Sequence, residues 1–288
     1  MRPTEALRLR ADRLFGLHRV LQMTSVSLED ATRLLSAMTE RTYASGAVLA
    51  LRGRPLDAAF FVLDGEVAAT SARGAVVQAR ANDNAGFVEL LSEDPDGLDI
   101  RCVADATVLE IEKSDFLRMA AEDFGMMETI QRAFASSLVR AIPFGRTIHR
   151  SVPTWTTCPV GYVERMLFLR ELSALYDSGI ATLAELAQMG TETTIDGGVL
   201  LPAGQTLDGL YLVTSGTLAH GDTELVPGDT FGWLQSMARE PLSDDLVATG
   251  AASVLVFSLE AMLELLEEDV PFALASMRRL AQEILALT

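Results

Sequence analysis

A chain of 288 residues with 40 acidic and 23 basic side chains carries a formal charge of −17. Such a surface repels phosphate backbones and argues against direct nucleic-acid binding. Apolar residues form 49% of the chain, enough for two domains with cores of their own, yet runs such as AASVLVF are far too short to span a bilayer.

The first element in chain order is an amphipathic helix over residues 5–22 (EALRLRADRLFGLHRVLQ), with Leu7, Leu14 and Leu21 on one side. Packing on the following domain and binding at a membrane surface both fit it. The single aromatic, Phe15, is a weak membrane anchor. The charged start, MRPTEALRLR, lacks the apolar core of a signal peptide. Cys102 and Cys158 are isolated thiols without a disulfide framework. A cytoplasmic protein without stable membrane insertion is expected.

A second helix follows in LEDATRLLSAM, with Ser27 as its predicted N-cap. Short apolar runs then take over (AVLALRG, AAFFVLDGEVAAT, ATVLEIEK), punctuated by Gly, Asp and Pro every eight to twelve residues. That spacing predicts a small antiparallel barrel or sandwich, and together with the repeat register described below an eight-stranded barrel in each copy. Helices return in SDFLRMAAEDF, capped by Ser114, and in METIQRAFASSLVRAI. Residues 142–161, with three prolines and two glycines, read as a linker.

The order then repeats. IATLAELAQM is helical with Thr182 as cap. Strand-like runs GVLLPAG, GLYLVTSGTLA, ELVPGD and SVLVFSL follow, and LEAMLELLEED and FALASMRRLAQEILAL close the chain. Residues 85–116 align with 231–262 at a constant offset of 146, and Phe60 onward aligns with Tyr211 onward at an offset of 151. The five-residue difference predicts a longer hairpin between Ala68 and Asn84. A duplication on this scale means two similar domains. The predicted class is α+β, mainly β, with two antiparallel jelly-roll-like barrels flanked by helices. The predicted divisions are residues 1–22, 23–141, 142–161 and 162–288.

Recurrent residues mark the barrels. Gly46, Leu49, Gly53 and Asp57 recur as Gly197, Leu200, Gly204 and Asp208. Val62, Leu63, Gly65, Glu66 and Val67 find counterparts in Val213, Gly216 and Leu218, and Pro227, Gly228 and Asp229 lead into Phe231 and Gly232. In these features the chain resembles the cyclic nucleotide-binding domain of the catabolite activator protein and the protein kinase A regulatory subunit. The resemblance implies a phosphate-binding cassette reading Phe-Gly-Glu-Leu, a short helix, then Pro-Arg-Ala. The glutamate would hold the ribose and the arginine the cyclic phosphate. Here Gly86 and Gly232 keep the glycine, but Phe87 and Trp233 take the glutamate position. Asp96, after Pro95, and Leu242, after Pro241, take the arginine position. Glu89 could serve the sugar in a shortened first cassette. Both cassettes are therefore expected to be degenerate, with no cofactor bound.

No phosphate loop, dinucleotide fingerprint or HExxH pattern occurs, and His18, His149 and His220 have no ligand-spaced partners. No metal site and no enzyme is expected. The run SEDPDGLD lacks calcium-loop spacing and reads as a solvated loop. From Thr129 to Val163 the chain has no acidic residue. Arg140, Arg146, Arg150 and Trp155 there are either a docking surface for an acidic protein partner or internal counter-charges for acidic barrel faces. The expected function is regulation or scaffolding through an unidentified protein partner, with a homodimer left open. The alternative is a small-ligand sensor that moves the closing helix of each barrel.

Overall fold

A computed structural model describes residues 28–71, 74–141, 144, 160–171 and 179–287. The helix expected over residues 5–22 and its neighbour Ser27 lie outside the described residues. The chain forms two compact units, Met1–Ala133 with Met277–Thr288, and Phe134–Ser276.

The first unit begins with α1 (Leu28–Ala37) and continues through eight strands: β1 (Thr39–Tyr43), β2 (Val48–Ala50), β3 (Ala58–Asp64), β4 (Glu66–Thr70), β5 (Val76–Arg80), β6 (Asn84–Ala85), β7 (Asp99–Cys102) and β8 (Ala106–Glu112). A short helix α2 (Phe87–Ser92) interrupts them, and α3 (Lys113–Glu122) and α4 (Phe124–Val139) follow, the second unit beginning at Phe134 within α4. The strands make two four-stranded antiparallel sheets, in the orders β1-β8-β3-β6 and β2-β7-β4-β5. In β4, Val67 and Ala69 turn inward in strict alternation, as a strand with one buried face requires. β3 lies between β8 and β6, and Ala59 through Val62 are all buried.

In the second unit α5 (Tyr162–Glu171) and α6 (Ile180–Met189) precede β9 (Thr191–Leu201), β10 (Gly209–Ser215), β11 (Leu218–His220), β12 (Thr223–Leu225), β13 (Thr230–Phe231), helix α7 (Trp233–Ala238) and β14 (Leu246–Ser258). Then come α8 (Leu259–Glu268) and α9 (Val270–Leu287), the latter belonging to the first unit from Met277 on. The curled antiparallel architecture matches the expected class. The strand count does not: six strands form one sheet, β12-β11-β14-β10-β13 with β9 on β14. The reason is continuity. β9 runs through the break between β1 and β2, and β14 through the break between β7 and β8. The corner survives as a register shift between Ala248 and Ala251, opposite Gly197 and Gly198 at φ 91° and 93°.

The predicted hairpin difference sits where the offsets place it. Ala68 pairs with Gln78, whereas the equivalent Ala219 pairs with Glu224 across a turn at Gly221 and Asp222. Shared polar contacts fix the rest. Val62 N–H donates to Asp83 O and Val213 N–H to Asp229 O, and Lys113 N–H donates to Asp57 O as Leu259 N–H does to Asp208 O. Asp123 accepts from Met126 N–H and Asp269 from Phe272 N–H, capping α4 and α9.

Two predicted caps are corrected. α3 starts at Lys113, so Ser114 is inside the helix. Thr182 lies within α6 behind Gly179, and its hydroxyl donates to the Asp269 carboxylate at 2.6 Å. A buried threonine hydroxyl is satisfied better by that carboxylate than by the helix end. A true serine cap stands at Ser258, which accepts from Ala261 N–H at 3.2 Å.

Candidate functional site

Each barrel has a six-residue helix, α2 or α7, entered through a left-handed glycine. Gly86 has φ 83° and Gly232 has φ 95°. A Cβ would come within 2.7 Å of the Leu56 side chain at the first, and within 2.6 Å of the Gly209 carbonyl at the second. Glycine is required there on both counts. Each helix also ends on a left-handed residue, Glu93 at φ 57° and Arg239 at φ 54°. The chain then returns by one shared backbone bond, Gly53 N–H to Asp96 O at 2.7 Å and Gly204 N–H to Leu242 O at 2.8 Å. Asp96 and Leu242 thus occupy the same backbone position. Their side chains part company: Asp96 is exposed, and Leu242 is buried with Leu207, Val213, Leu225, Phe231 and Leu246.

Phe87 opens α2 with its ring buried, 5.3 Å edge-on from Phe116 and 5.9 Å from Phe61. It ties the helix to β3 and α3. Trp233, half-buried, opens α7. Glu89 is half-buried on α2. Burial raises its carboxyl pKa, helped by Asp94, while its own amide opposes. Ser92 Oγ–H donates to its backbone carbonyl at 3.0 Å.

The far end of α2 is polar and firmly tied. Glu93 binds Lys113 Nζ at 2.6 Å and Arg278 Nη2 at 3.1 Å, and Gln282 donates to Ser92 O at 3.2 Å. The hydrogen bond from Lys113 chiefly, with Arg278, lowers the Glu93 pKa against an opposing burial effect. Arg278 and Gln282 belong to the first unit with the rest of Met277–Thr288. None of these partners was singled out from sequence. The available signal was Lys113, the one lysine in the chain. The acidic run is correspondingly not a free solvated loop. Asp94 accepts from Asp96 N–H, and Asp99 from Arg52 N–H, because backbone donors in a tight loop need acceptors.

Two family-model matches, at residues 40–123 and 196–269, are both to the cyclic nucleotide-binding domain, and together they cover more than half of the chain. The chain belongs to the cyclic nucleotide-binding domain family. Among solved structures it is similar to the regulatory domain of Toxoplasma gondii PKA co-crystallised with cAMP, at 16% identity over 97% of each chain with a TM-score of 0.36. It is also similar to the regulatory subunit of a cAMP-independent protein kinase A from Trypanosoma cruzi bound to guanosine, at 15% identity over 96% of this chain and 93% of that one, TM-score 0.36. The N-terminal domain of a Streptomyces coelicolor A3(2) transcriptional regulator matches 43% of this chain and 91% of its own, at 22% identity and TM-score 0.39. No curated protein sequence matches the chain.

Within this cyclic nucleotide-binding fold, the described arginines near the first cassette are engaged or outward. Arg52 donates to Ser71 O, Arg80 pairs with Glu66 at 3.4 Å, and Arg54 and Arg101 are exposed. In the second barrel Tyr211 stacks on Phe231 at 5.0 Å and donates to Asp208 at 2.6 Å. Burial, then the Asp208 bond, raises its phenol pKa. Of the predicted docking residues Arg140 is exposed after α4, while Arg146, Arg150 and Trp155 lie outside the described residues. Among the described residues there is no cluster of metal-ligating side chains and no helix long and apolar enough to cross a membrane.

Proposed function

We propose that this chain is a non-enzymatic, cytoplasmic regulatory or scaffolding protein that acts through a protein partner, and that its two cassettes do not bind cyclic nucleotides. The observation carrying this reading is the shared backbone position of Asp96 and Leu242, where one cassette exposes a carboxylate and the other buries an aliphatic group. A cyclic phosphate needs a guanidinium fork at such a position. Two charge-assisted bonds at ~1.5–3 kcal/mol each make the missing clamp worth on the order of a hundredfold or more in affinity. Asp96 adds repulsion of an anion.

Calorimetry with cyclic AMP and cyclic GMP tests this. Binding weaker than roughly 100 μM is expected, and micromolar affinity for either nucleotide overturns the reading. The Asp96→Arg variant should relieve the repulsion in the first cassette.

A second reading, a sensor for a non-canonical ligand, is supported by the bonds from Arg278 and Gln282 to the end of α2. A ligand that reshaped α2 would pull on those bonds. Ligand screening by thermal shift separates the two readings, since a ligand that binds only the native state raises the melting temperature.

A further inference from the structure

Helix α9 closes the second repeat in sequence, yet from Met277 on it belongs to the first unit. Met277, Leu280 and Ala281 are buried at three- and four-residue spacing, which seats this end of the helix. Arg278 and Gln282, one turn apart and exposed, lie beside that face. Both reach the end of α2. Arg278 Nη2 meets one carboxylate oxygen of Glu93 at 3.1 Å, and Gln282 donates to Ser92 O at 3.2 Å. Lys113, at the start of α3, holds the other oxygen of Glu93 at 2.6 Å.

The duplication makes this clasp one-sided. Asp123 and Asp269 cap α4 and α9 at the offset of 146, which matches Arg278 with Arg132, Glu93 with Arg239 and Lys113 with Leu259. The turns themselves agree, since Glu93 and Arg239 are both left-handed, at φ 57° and 54°. Their charges do not. An equivalent clasp on α7 would bring two guanidinium groups together, which repel. Arg132 pairs with Glu128 of its own helix at 2.7 Å. Of the two turns, only the one with Glu93 can anchor a cationic helix edge.

We propose that residues 277–287 are a strap on the first cassette: the last helix of the second repeat holds α2 of the first barrel, and its release loosens α2 while leaving α7 as it was. A partner or ligand that prefers one state of either end shifts the other by the same factor. This goes beyond the reading of the cassettes, and neither nucleotide binding nor its absence bears on it.

Hydrogen exchange of the full chain, with no ligand added, tests the strap. Arg278→Ala with Gln282→Ala removes two exposed side chains and leaves Met277, Leu280 and Ala281 in place, so the fold should persist. Losing the ion pair and the hydrogen bond should speed exchange of residues 87–93 by roughly threefold or more. Exchange in β3 and over residues 233–239, around α7, should not move. Glu93→Gln should in turn speed exchange of residues 277–287, because the coupling is reciprocal. Exchange at 87–93 that is unmoved in the double variant, or quickened equally at 233–239, overturns the proposal and leaves a surface contact that holds nothing. A Glu93→Gln effect confined to its own turn overturns it as well. Should the double variant fail to fold, Glu93→Gln alone decides, since it keeps the shape of the side chain.

Discussion

Buried His220 and half-buried Glu89 are titratable groups whose surroundings oppose their charged forms, and each ties stability to pH with a different sign. Burial lowers the His220 pKa below its ordinary 6.5, and Asp244 opposes that more weakly. The unfolded chain therefore binds this proton more tightly than the folded one, and stability is lost as pH falls through 6.5. Burial raises the Glu89 pKa above its ordinary 4.5. Here the folded chain holds the proton more tightly, so the contribution is present below 4.5 and lost as pH rises above it. Denaturant melts across pH 4–8 should show Glu89→Gln gaining on wild type as pH rises above 4.5. They should show His220→Leu gaining on wild type as pH falls below 6.5. Gaps independent of pH would mean that neither group titrates differently in the folded state.

At the level of elements the duplication makes sharp comparisons available. Ser258 caps α8, and the equivalent position before α3 is Glu112, which makes no capping bond. Ser258→Ala should cost ~0.5–2 kcal/mol, and Ser114→Ala should stay within about 0.5 kcal/mol. Thermal melts of the two variants distinguish them, and equal losses would place a cap at Ser114 after all. Gly65 and Gly216 follow β3 and β10 at φ 85° and 71°, and a Cβ at either would run into the backbone carbonyl of Asp105 or Ala251. Alanine at either should cost more than the ~1 kcal/mol of backbone strain alone.

The recurrence of such glycines made the barrels legible, because a close backbone approach tolerates only one residue type. The hairpin difference was legible as well, since register is conserved on both sides of it. The fusion of strands into β9 and β14 was not, because a bulge at Gly197 and Gly198 and a chain break look alike in sequence. Nor were Lys113, Arg278 and Gln282 legible around α2. Their bonds join residues as far as 190 apart in the chain, and no local period reports such a pairing. Phe144 lies in the acid-free segment, and nothing in the spacing told an inward ring from an outward anchor.

At the scale of the whole molecule, a charge of −17 meets a stretch of 35 residues, Thr129–Val163, without one carboxylate. If that stretch docks an acidic partner, the contrast would attract it at long range, and salt would weaken the association beyond a Debye length of about 8–10 Å. Phe144 stacks on His220, so any docking through this segment would rest on Arg140, Arg146, Arg150 and Trp155. The informative variant is Arg146→Glu with Arg150→Glu in the full chain, read as partner recovery from the native lysate and as melting temperature. Docking predicts lost recovery with melting unchanged, because exposed charges contribute little to folding. If melting falls while recovery stays whole, the two guanidinium groups serve as internal counter-charges. The partner must then meet another surface. Trp155→Ala divides the remaining case, in which recovery falls only in part. A buried aromatic anchor at an interface costs about 2 kcal/mol or more on truncation, some thirtyfold in affinity. A rim residue moves recovery little, and steering by charge alone would then account for the association.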